Sequence, residues 1–151
     1  MSMGRIFSIN LSSAKGVPKE RRGRALLLKG LGLEGDAHAG TDIRQVSLLD
    51  IESVRCQIAD AKAKGASVEI RPGIYAENIT TEGLALSELK IGETLKAGET
   101  ALLRISQIGK ECHDRCAIYR EVGDCIMPRK GIFAEVVEGG EITVGDEIEK
   151  L

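Results

Sequence analysis

The sequence predicts a mostly β fold (α+β), in which the strands form a β-barrel with one long helix and short helical additions. Many short β-rich apolar segments alternate with Gly- or Pro-containing turns, and a single segment carries a long helical pattern. At 151 residues, the chain suits one domain spanning residues 1–151. A domain of this size buries about two thirds of its unfolded surface, so it can hold a core without disulfides or metals.

The predicted strands begin near the N-terminus and occupy most of the second half of the chain. IGETLKAG (91–98) resembles VGDEIEKL (144–151), which suggests two similar strand beginnings. Predicted strands cover residues 5–10, 24–30, 44–49 and the NITTEG segment (78–83), two strands within 93–107 around a turn at Ala97–Glu99, and a closing hairpin at 131–151 with Gly139–Gly140 as its turn.

Residues 50–65 carry the clearest helical pattern. Asp50 can cap the first turn, and Gly65 can end the helix. Apolar residues recur on one face at helical spacing, which predicts the side that is buried. That stripe consists of Ile51, Val54, Ile58 and Ala61. Cys56 lies off the stripe and is interpreted as a bystander.

The glycine-rich loop after residue 30 has two features that could signal a site. Residues 30–35 match G-x-G-x-x-G, but no helical pattern follows and the next strand begins within ten residues, so a dinucleotide site is rejected. Glu34, Asp36 and His38 alternate, and an extended backbone would point all three one way. They could bind a metal or form a hydrogen-bonded turn.

The segment SSAKGVPKERRGR (12–24) concentrates positive charge beside two glycines and a proline. It is either a solvated loop or an anion pocket, because ammonium and guanidinium groups beside glycine-rich backbone suit a phosphate. Its basic residues are Lys15, Lys19, Arg21, Arg22 and Arg24.

Composition excludes several classes of function. The chain has 21 basic and 23 acidic residues, no Trp, two Phe and two Tyr, which disfavours a nucleic-acid surface. No apolar run suits a signal peptide or a membrane span, so we expect a cytoplasmic protein with reduced thiols.

Three of the four cysteines fall in one short segment that begins with IGKECHDRC (108–116). A disulfide, a metal site, a reactive sulfur and plain burial are all possible interpretations. The C-x3-C spacing of Cys112 and Cys116, with Cys125 and His113, matches structural zinc sites poorly.

Cys112 alone offers another possibility, because it follows a predicted strand and precedes a short predicted helix at 114–122. A helix N-terminus and the neighbouring Lys110, His113 and Arg115 favour the thiolate. A thiolate there could carry a persulfide or ligate a soft metal, although an inert buried cysteine remains an alternative.

Several segments, in order, resemble the MOSC domains, named for the C-terminal domain of molybdenum cofactor sulfurase, and in particular small stand-alone bacterial members. Together they cover most of the chain. They are SINLSSAKGVPK, GLEGDAHAG, RQVSLLD, PGIYAENITTEGLALSELKIGETLKAG, ISQIGKEC and GIFAEVVEGGEITVGDEI.

The resemblance implies a MOSC-type β-barrel and a role around the pyranopterin molybdenum cofactor. It implies that Cys112 carries sulfur as a persulfide or ligates molybdenum, and that the basic loop holds the pterin phosphate. The positions matched to cofactor binding are Lys15, Lys19, Arg22, Asp36, His38 and Asn78. Asn78 belongs to a Glu77–Asn78 pair that also matches the family. The chain departs from the family at Lys110-Glu111-Cys112, where relatives often have a basic residue, Pro and Cys, and Glu111 disfavours the thiolate.

Three functions remain open from the sequence. The first is a cofactor-binding sulfur carrier that works with a cysteine desulfurase or a molybdoenzyme. The second is a molybdenum-dependent reductase of N-hydroxylated compounds that works with redox partners. The third is a zinc-binding scaffold that uses the Cys112–Cys125 segment.

Overall fold

The computed structural model describes residues 3–14, 17–40, 43–63, 65, 71–109 and 130–151. Within these ranges the chain forms short strands, one α-helix and a 3-10 turn at Leu86–Glu88. The elements are β1 (Met3–Leu11), β2 (Glu20–Arg22), β3 (Arg24–Leu28), β4 (Gly32–Leu33), β5 (Val46–Asp50), α1 (Ile51–Ala63), β6 (Ile79–Glu82), β7 (Thr94–Ala97), β8 (Ala101–Ile108), β9 (Ile132–Glu138), β10 (Gly140–Thr143) and β11 (Glu147–Lys150).

Seven of these strands close into a barrel, which confirms the predicted fold class. Their order is β11-β7-β8-β9-β5-β6-β1, and pairing of β11 with β1 completes the circle. All neighbours are antiparallel except β5 and β6, which are parallel and are joined through α1. Strand β2 extends the sheet beside β1, and β10, β3 and β4 form a second, smaller sheet.

Side chains alternate between the two faces of each strand, so the buried apolar residues form two clusters. Leu48 and Ala134 lie in the main core, whereas Leu49 and Phe133 belong to the cluster that holds the helix residue Val54. Successive strand residues face opposite sides of a sheet, so α1 packs against the outer face of the barrel.

Within the described ranges, no helix has the length and apolar character that a membrane span requires.

The helix begins and ends where the sequence predicts. Asp50 Oδ2 accepts hydrogen bonds from the Ser53 backbone N–H at 2.9 Å and from Ser53 Oγ at 2.7 Å. Gly65 adopts the left-handed φ of 80° that favours glycine after a helix. Cys56 is exposed, in agreement with its position off the apolar stripe.

The predicted closing hairpin is wrong. Strand β9 pairs with β8 and β5, and β10 pairs with β3, so the chain crosses at Gly139 from the barrel to the smaller sheet. A Cβ at Gly139 would lie 2.6 Å from the Leu27 carbonyl oxygen. The glycine therefore permits a close crossing of backbones, and not the tight reversal that its Gly-Gly sequence suggests.

The two similar strand beginnings become neighbours in space. Strands β7 and β11 pair antiparallel, with Ile148 opposite Ala97 and Lys150 opposite Leu95. Because β11 also pairs with β1, this pairing closes the barrel.

Replacement of Gly139 tests the crossing. Gly139→Ala should lower the free energy of unfolding by about 1–3 kcal/mol, because backbone atoms must shift to admit the methyl group. Gly23→Ala is the matched control, since no atom lies within 4 Å of its added Cβ and neither glycine has a positive φ. Urea unfolding measures both variants, and equal stability of the two would contradict the close crossing.

Candidate functional site

The loop that follows β1 carries a lysine whose side chain is fully buried. Lys19 Nζ donates a hydrogen bond to Asp36 Oδ1 at 2.7 Å, and both side chains have 0 % exposure. Lys19 Nζ also lies 3.1 Å from His38 Nδ1. A buried ammonium is tolerated only when it is paired and hydrogen-bonded, so these three side chains form one unit, called here the Lys19 cluster.

Backbone hydrogen bonds fix the carboxylate of Asp36. Its Oδ1 accepts from the Ser12 N–H at 3.1 Å, and its Oδ2 accepts from the His38 N–H at 3.0 Å. The Ala37 N–H donates to the Ser12 carbonyl at 2.7 Å. The end of β1 and the loop around Asp36 are thereby joined, which explains why residues distant in sequence meet here.

The pKa of Asp36 reflects opposing influences. Burial acts to raise it, but the hydrogen bonds from the His38 backbone N–H and from Lys19, together with the positive charge of Lys19, hold the pKa well below its ordinary value. Asp36 is therefore charged and compensates the buried ammonium.

The expectation that Glu34, Asp36 and His38 share one face is wrong. Gly35 has a φ of 84° and turns the chain, so Glu34 is exposed while Asp36 is buried. Among the described residues, no group of three His, Cys, Asp or Glu side chains is arranged to hold a metal. The turn, which the sequence left as the second interpretation, is the arrangement found.

A pocket of about 480 Å³ lies beside the Lys19 cluster. Its polar walls include Ser12, Ser13, Glu20 and Arg22. The Arg22 side chain is 47 % exposed, and its guanidinium makes a 3.4 Å contact with the exposed Glu20, so the side chain remains accessible to an anion. Lys19 differs, because its ammonium is turned inward to Asp36, and Lys15 lies outside the described residues.

Asn78 lies in a second buried polar network, at the same end of β1. Its Oδ1 accepts from the Ser47 N–H at 2.9 Å, and its Nδ2 donates to the Asn10 carbonyl at 3.2 Å. Asn78 is fully buried, and these two hydrogen bonds of its amide join β5 to β1. The cofactor-binding role that the family resemblance implies for Asn78 stays a prediction.

Glu77, the other member of the pair, is fully buried. Its Oε2 accepts from Thr80 Oγ1 at 2.9 Å, whereas its Oε1 has no hydrogen-bond partner among the described residues. Burial raises the pKa of Glu77, and nearby backbone amides and Thr80 offset this only in part. The family resemblance singles out the Glu77–Asn78 pair, but the burial of Glu77 follows only from the fold.

The Gly73 turn joins the Lys19 loop to the segment that leads to Glu77. The Lys19 N–H donates to the Gly73 carbonyl at 2.7 Å, and a Cβ at Gly73 would lie 2.4 Å from the Lys19 carbonyl oxygen. The φ of Gly73 is 92°. Glycine is required here by both the conformation and the close approach.

Cys112, Cys116, Cys125 and His113 lie outside the described residues. Their segment connects β8 to β9, whose adjoining residues Gly109 and Gly131 are hydrogen-bonded. Since β8 runs antiparallel to β1, its last residue lies at the barrel end opposite Leu11. A pocket of about 320 Å³ at this end is lined by Asp50, Ser53, Ile108 and Lys130, among others.

Solved structures share this architecture. The YuaD protein from Bacillus subtilis superposes with a TM-score of 0.79 at 19% sequence identity, covering 98% of this chain and 95% of that chain. YiiM from Escherichia coli gives a TM-score of 0.67 at 20% identity, with coverage of 97% and 69%. YiiM from Geobacillus stearothermophilus gives 0.70 at 19% identity, with coverage of 99% and 75%. At these identities the likeness establishes the barrel fold.

The sequence itself matches a family model. Residues 35–149 match the MOSC domain, and this range includes Asp36, His38, Asn78 and the segment that contains Cys112. The chain therefore belongs to the MOSC domain family, which is linked to molybdenum-cofactor binding or sulfurase-related function. No significant match is found among curated proteins.

Removal of the Asp36 charge tests the buried ion pair. Asp36→Asn should lower the free energy of unfolding by about 3–5 kcal/mol at neutral pH, because Lys19 is left buried without its counterion. The low folded pKa of Asp36 means that its contribution is present above the unfolded pKa of about 3.9 and is lost as pH falls below it. Asp60→Asn, on the exposed face of α1, is the control for urea unfolding across pH. An equal effect of both substitutions would contradict the ion pair.

The buried Glu77 should destabilise the fold as pH rises. Because its folded pKa is raised, wild-type stability should fall relative to Glu77→Gln above the unfolded pKa of about 4.3, until pH reaches the folded pKa. The loss is about 1.4 kcal/mol for each pH unit between those two pKa values. Chemical unfolding of both proteins from acid to neutral pH measures it, with exposed Glu88→Gln as the control. A constant difference across pH would show that Glu77 titrates normally.

Proposed function

We propose that the chain is a single MOSC domain acting as a molybdenum-cofactor-related sulfur carrier in the cytoplasm, with a persulfide on Cys112. The observation that carries the proposal is the MOSC match over residues 35–149, which includes Cys112. A cysteine desulfurase is the class of partner that would load the sulfur. A molybdoenzyme or its cofactor is the class that would accept it.

A pocket among the described residues supports the proposal of a site for the anionic end of a pterin cofactor. Arg22, with an accessible guanidinium, and the neighbouring Ser12 and Ser13 border a pocket of about 480 Å³. A guanidinium group suits a phosphate, because it can donate two parallel hydrogen bonds to anionic oxygens. When bound, the cofactor would supply a redox-active molybdenum, for which a cysteine thiolate is a suitable soft ligand.

Strand direction supports the carrier more than direct ligation of molybdenum. Cys112 follows Gly109 by three residues, and Gly109 lies at the barrel end opposite the Arg22 pocket. Ligation would require one cofactor to reach both the pocket and the thiol. A carrier requires only that the thiol meet a sulfur donor and then an acceptor, so it makes fewer demands on this arrangement.

The chemistry of loading is a thiol–persulfide exchange. The Cys112 thiolate attacks the terminal sulfur of the donor persulfide, R–S–SH, and the donor thiolate R–S⁻ leaves as the original S–S bond breaks. The product is Cys112–S–SH, which retains the proton of the terminal sulfur. A dithiol reductant would release that sulfur as hydrogen sulfide, return the Cys112 thiol and become a disulfide.

Native mass spectrometry tests the assignment on protein from a host that makes the molybdenum cofactor. We expect one added sulfur that maps to Cys112, leaves with reductant and is absent from Cys112→Ser. Cys56→Ser, at an exposed position of α1, is the matched control and should retain it.

Other masses would overturn the carrier assignment. A pterin–molybdenum adduct that is lost in Cys112→Ser would indicate ligation and call for assays with N-hydroxylated substrates and redox partners. Stoichiometric zinc whose removal unfolds the protein would indicate the scaffold function. Sulfur loading that is unchanged in Cys112→Ser would place the reactive thiol elsewhere.

A further inference from the structure

We propose that Lys19 is a positioning residue that fixes His38 as the tautomer protonated on Nε2, so that the imidazole offers an N–H donor to an anionic oxygen. This role for His38 rests on the anion pocket of the proposed function. The tautomer itself is a property of the ligand-free protein and can be measured independently.

Donor chemistry determines the tautomer. Lys19 Nζ lies 3.1 Å from His38 Nδ1, within hydrogen-bond distance. An ammonium group has three donors and no acceptor, so Nδ1 must provide the lone pair. A neutral imidazole that accepts at Nδ1 carries its proton on Nε2.

The other tautomer, with the proton on Nδ1, would have a longer donor–acceptor distance. A proton on Nδ1 would have to bond to Asp36 Oδ2, which lies 3.6 Å away, beyond an ordinary hydrogen bond. That proton would also face the Lys19 ammonium at 3.1 Å. Asp36 already holds the ammonium at 2.7 Å and accepts from the His38 backbone N–H at 3.0 Å, so its carboxylate has partners without the ring.

Burial leaves the imidazole as the part of the Lys19 cluster that can reach a ligand. The side chains of Lys19 and Asp36 are 0 % exposed, whereas that of His38 is 24 % exposed. Asp36 is also bonded to Ser12, which lines the pocket that contains Arg22. His38 does not itself line that pocket, so the inference requires an anion that extends from Arg22 to the exposed part of the imidazole, through which Lys19 would act on it.

Nitrogen-15 NMR of ligand-free protein labelled at histidine tests the tautomer. The chain has two histidines, and His113→Gln leaves His38 as the one observed ring. We expect couplings typical of a protonated Nε2 and an unprotonated Nδ1. A protonated Nδ1, whether in the other neutral tautomer or in an imidazolium, would overturn the inference. Lys19→Met, where it folds, should release the ring to a mixture of tautomers, and an unchanged tautomer in the folded variant would overturn the role of Lys19.

Titration with inorganic phosphate tests the donor. Phosphate should shift the Nε2–H resonance, and His38→Leu should weaken binding by about tenfold or more, the typical effect of losing one hydrogen bond to a charged group. His38→Gln retains an N–H donor at the end of its side chain and should restore part of the affinity. Equal affinity of wild type and His38→Leu would overturn the donor role.

The two failures are distinguishable. If wild-type protein has the Nε2–H tautomer but binds no phosphate, the anion pocket fails and the donor role fails with it, while Lys19 remains the residue that sets the tautomer. If phosphate binds and the ring is protonated on Nδ1, the pocket stands and the present inference fails.

Discussion

The buried ion pair of Lys19 and Asp36 is the constraint on which the candidate site depends. Two charges with no exposed side-chain surface are stable only because each satisfies the other and the backbone of Ser12 completes the carboxylate's bonds. The pair thereby joins the end of β1 to the loop before β5. It also determines which groups remain available to a ligand, since the ammonium is committed inward while His38 and Arg22 keep exposed surface.

A second constraint comes from polar side chains within the barrel wall. Asn78 bridges β1 and β5 through its amide, and Glu77 beside it is buried with no ion-pair partner among the residues that the structure describes. The Gly73 turn connects this network to the Lys19 loop through a hydrogen bond from Lys19 N–H to the Gly73 carbonyl. Buried polar groups lower the stability of the fold unless they are hydrogen-bonded. Their concentration at one end of β1 therefore indicates a functional site at that end.

Membership of the MOSC family and the arrangement of the barrel together shape the functional proposal. The family supplies the link to the molybdenum cofactor, and strand direction puts the Arg22 pocket and Gly109 at opposite ends of the barrel. A protein that accepts and passes on sulfur suits this separation, because the two steps need not share one bound molecule.

Local pattern in the sequence determined most of the strands, the helix with its Asp50 cap and the identity of the family, because spacing and capping depend on near neighbours. The short strands β2 and β4 lie in segments that the sequence predicts as loops. Tertiary structure decided which strands and which side chains pair with one another. The Gly139–Gly140 sequence is compatible with a hairpin, but backbone crowding at Leu27 makes it a crossing between sheets. In the sequence, Lys19 is one of several basic residues in a loop predicted to hold a phosphate. Only the fold brings Asp36, 17 residues away, into contact with it, so the Lys19 ammonium pairs with a buried carboxylate.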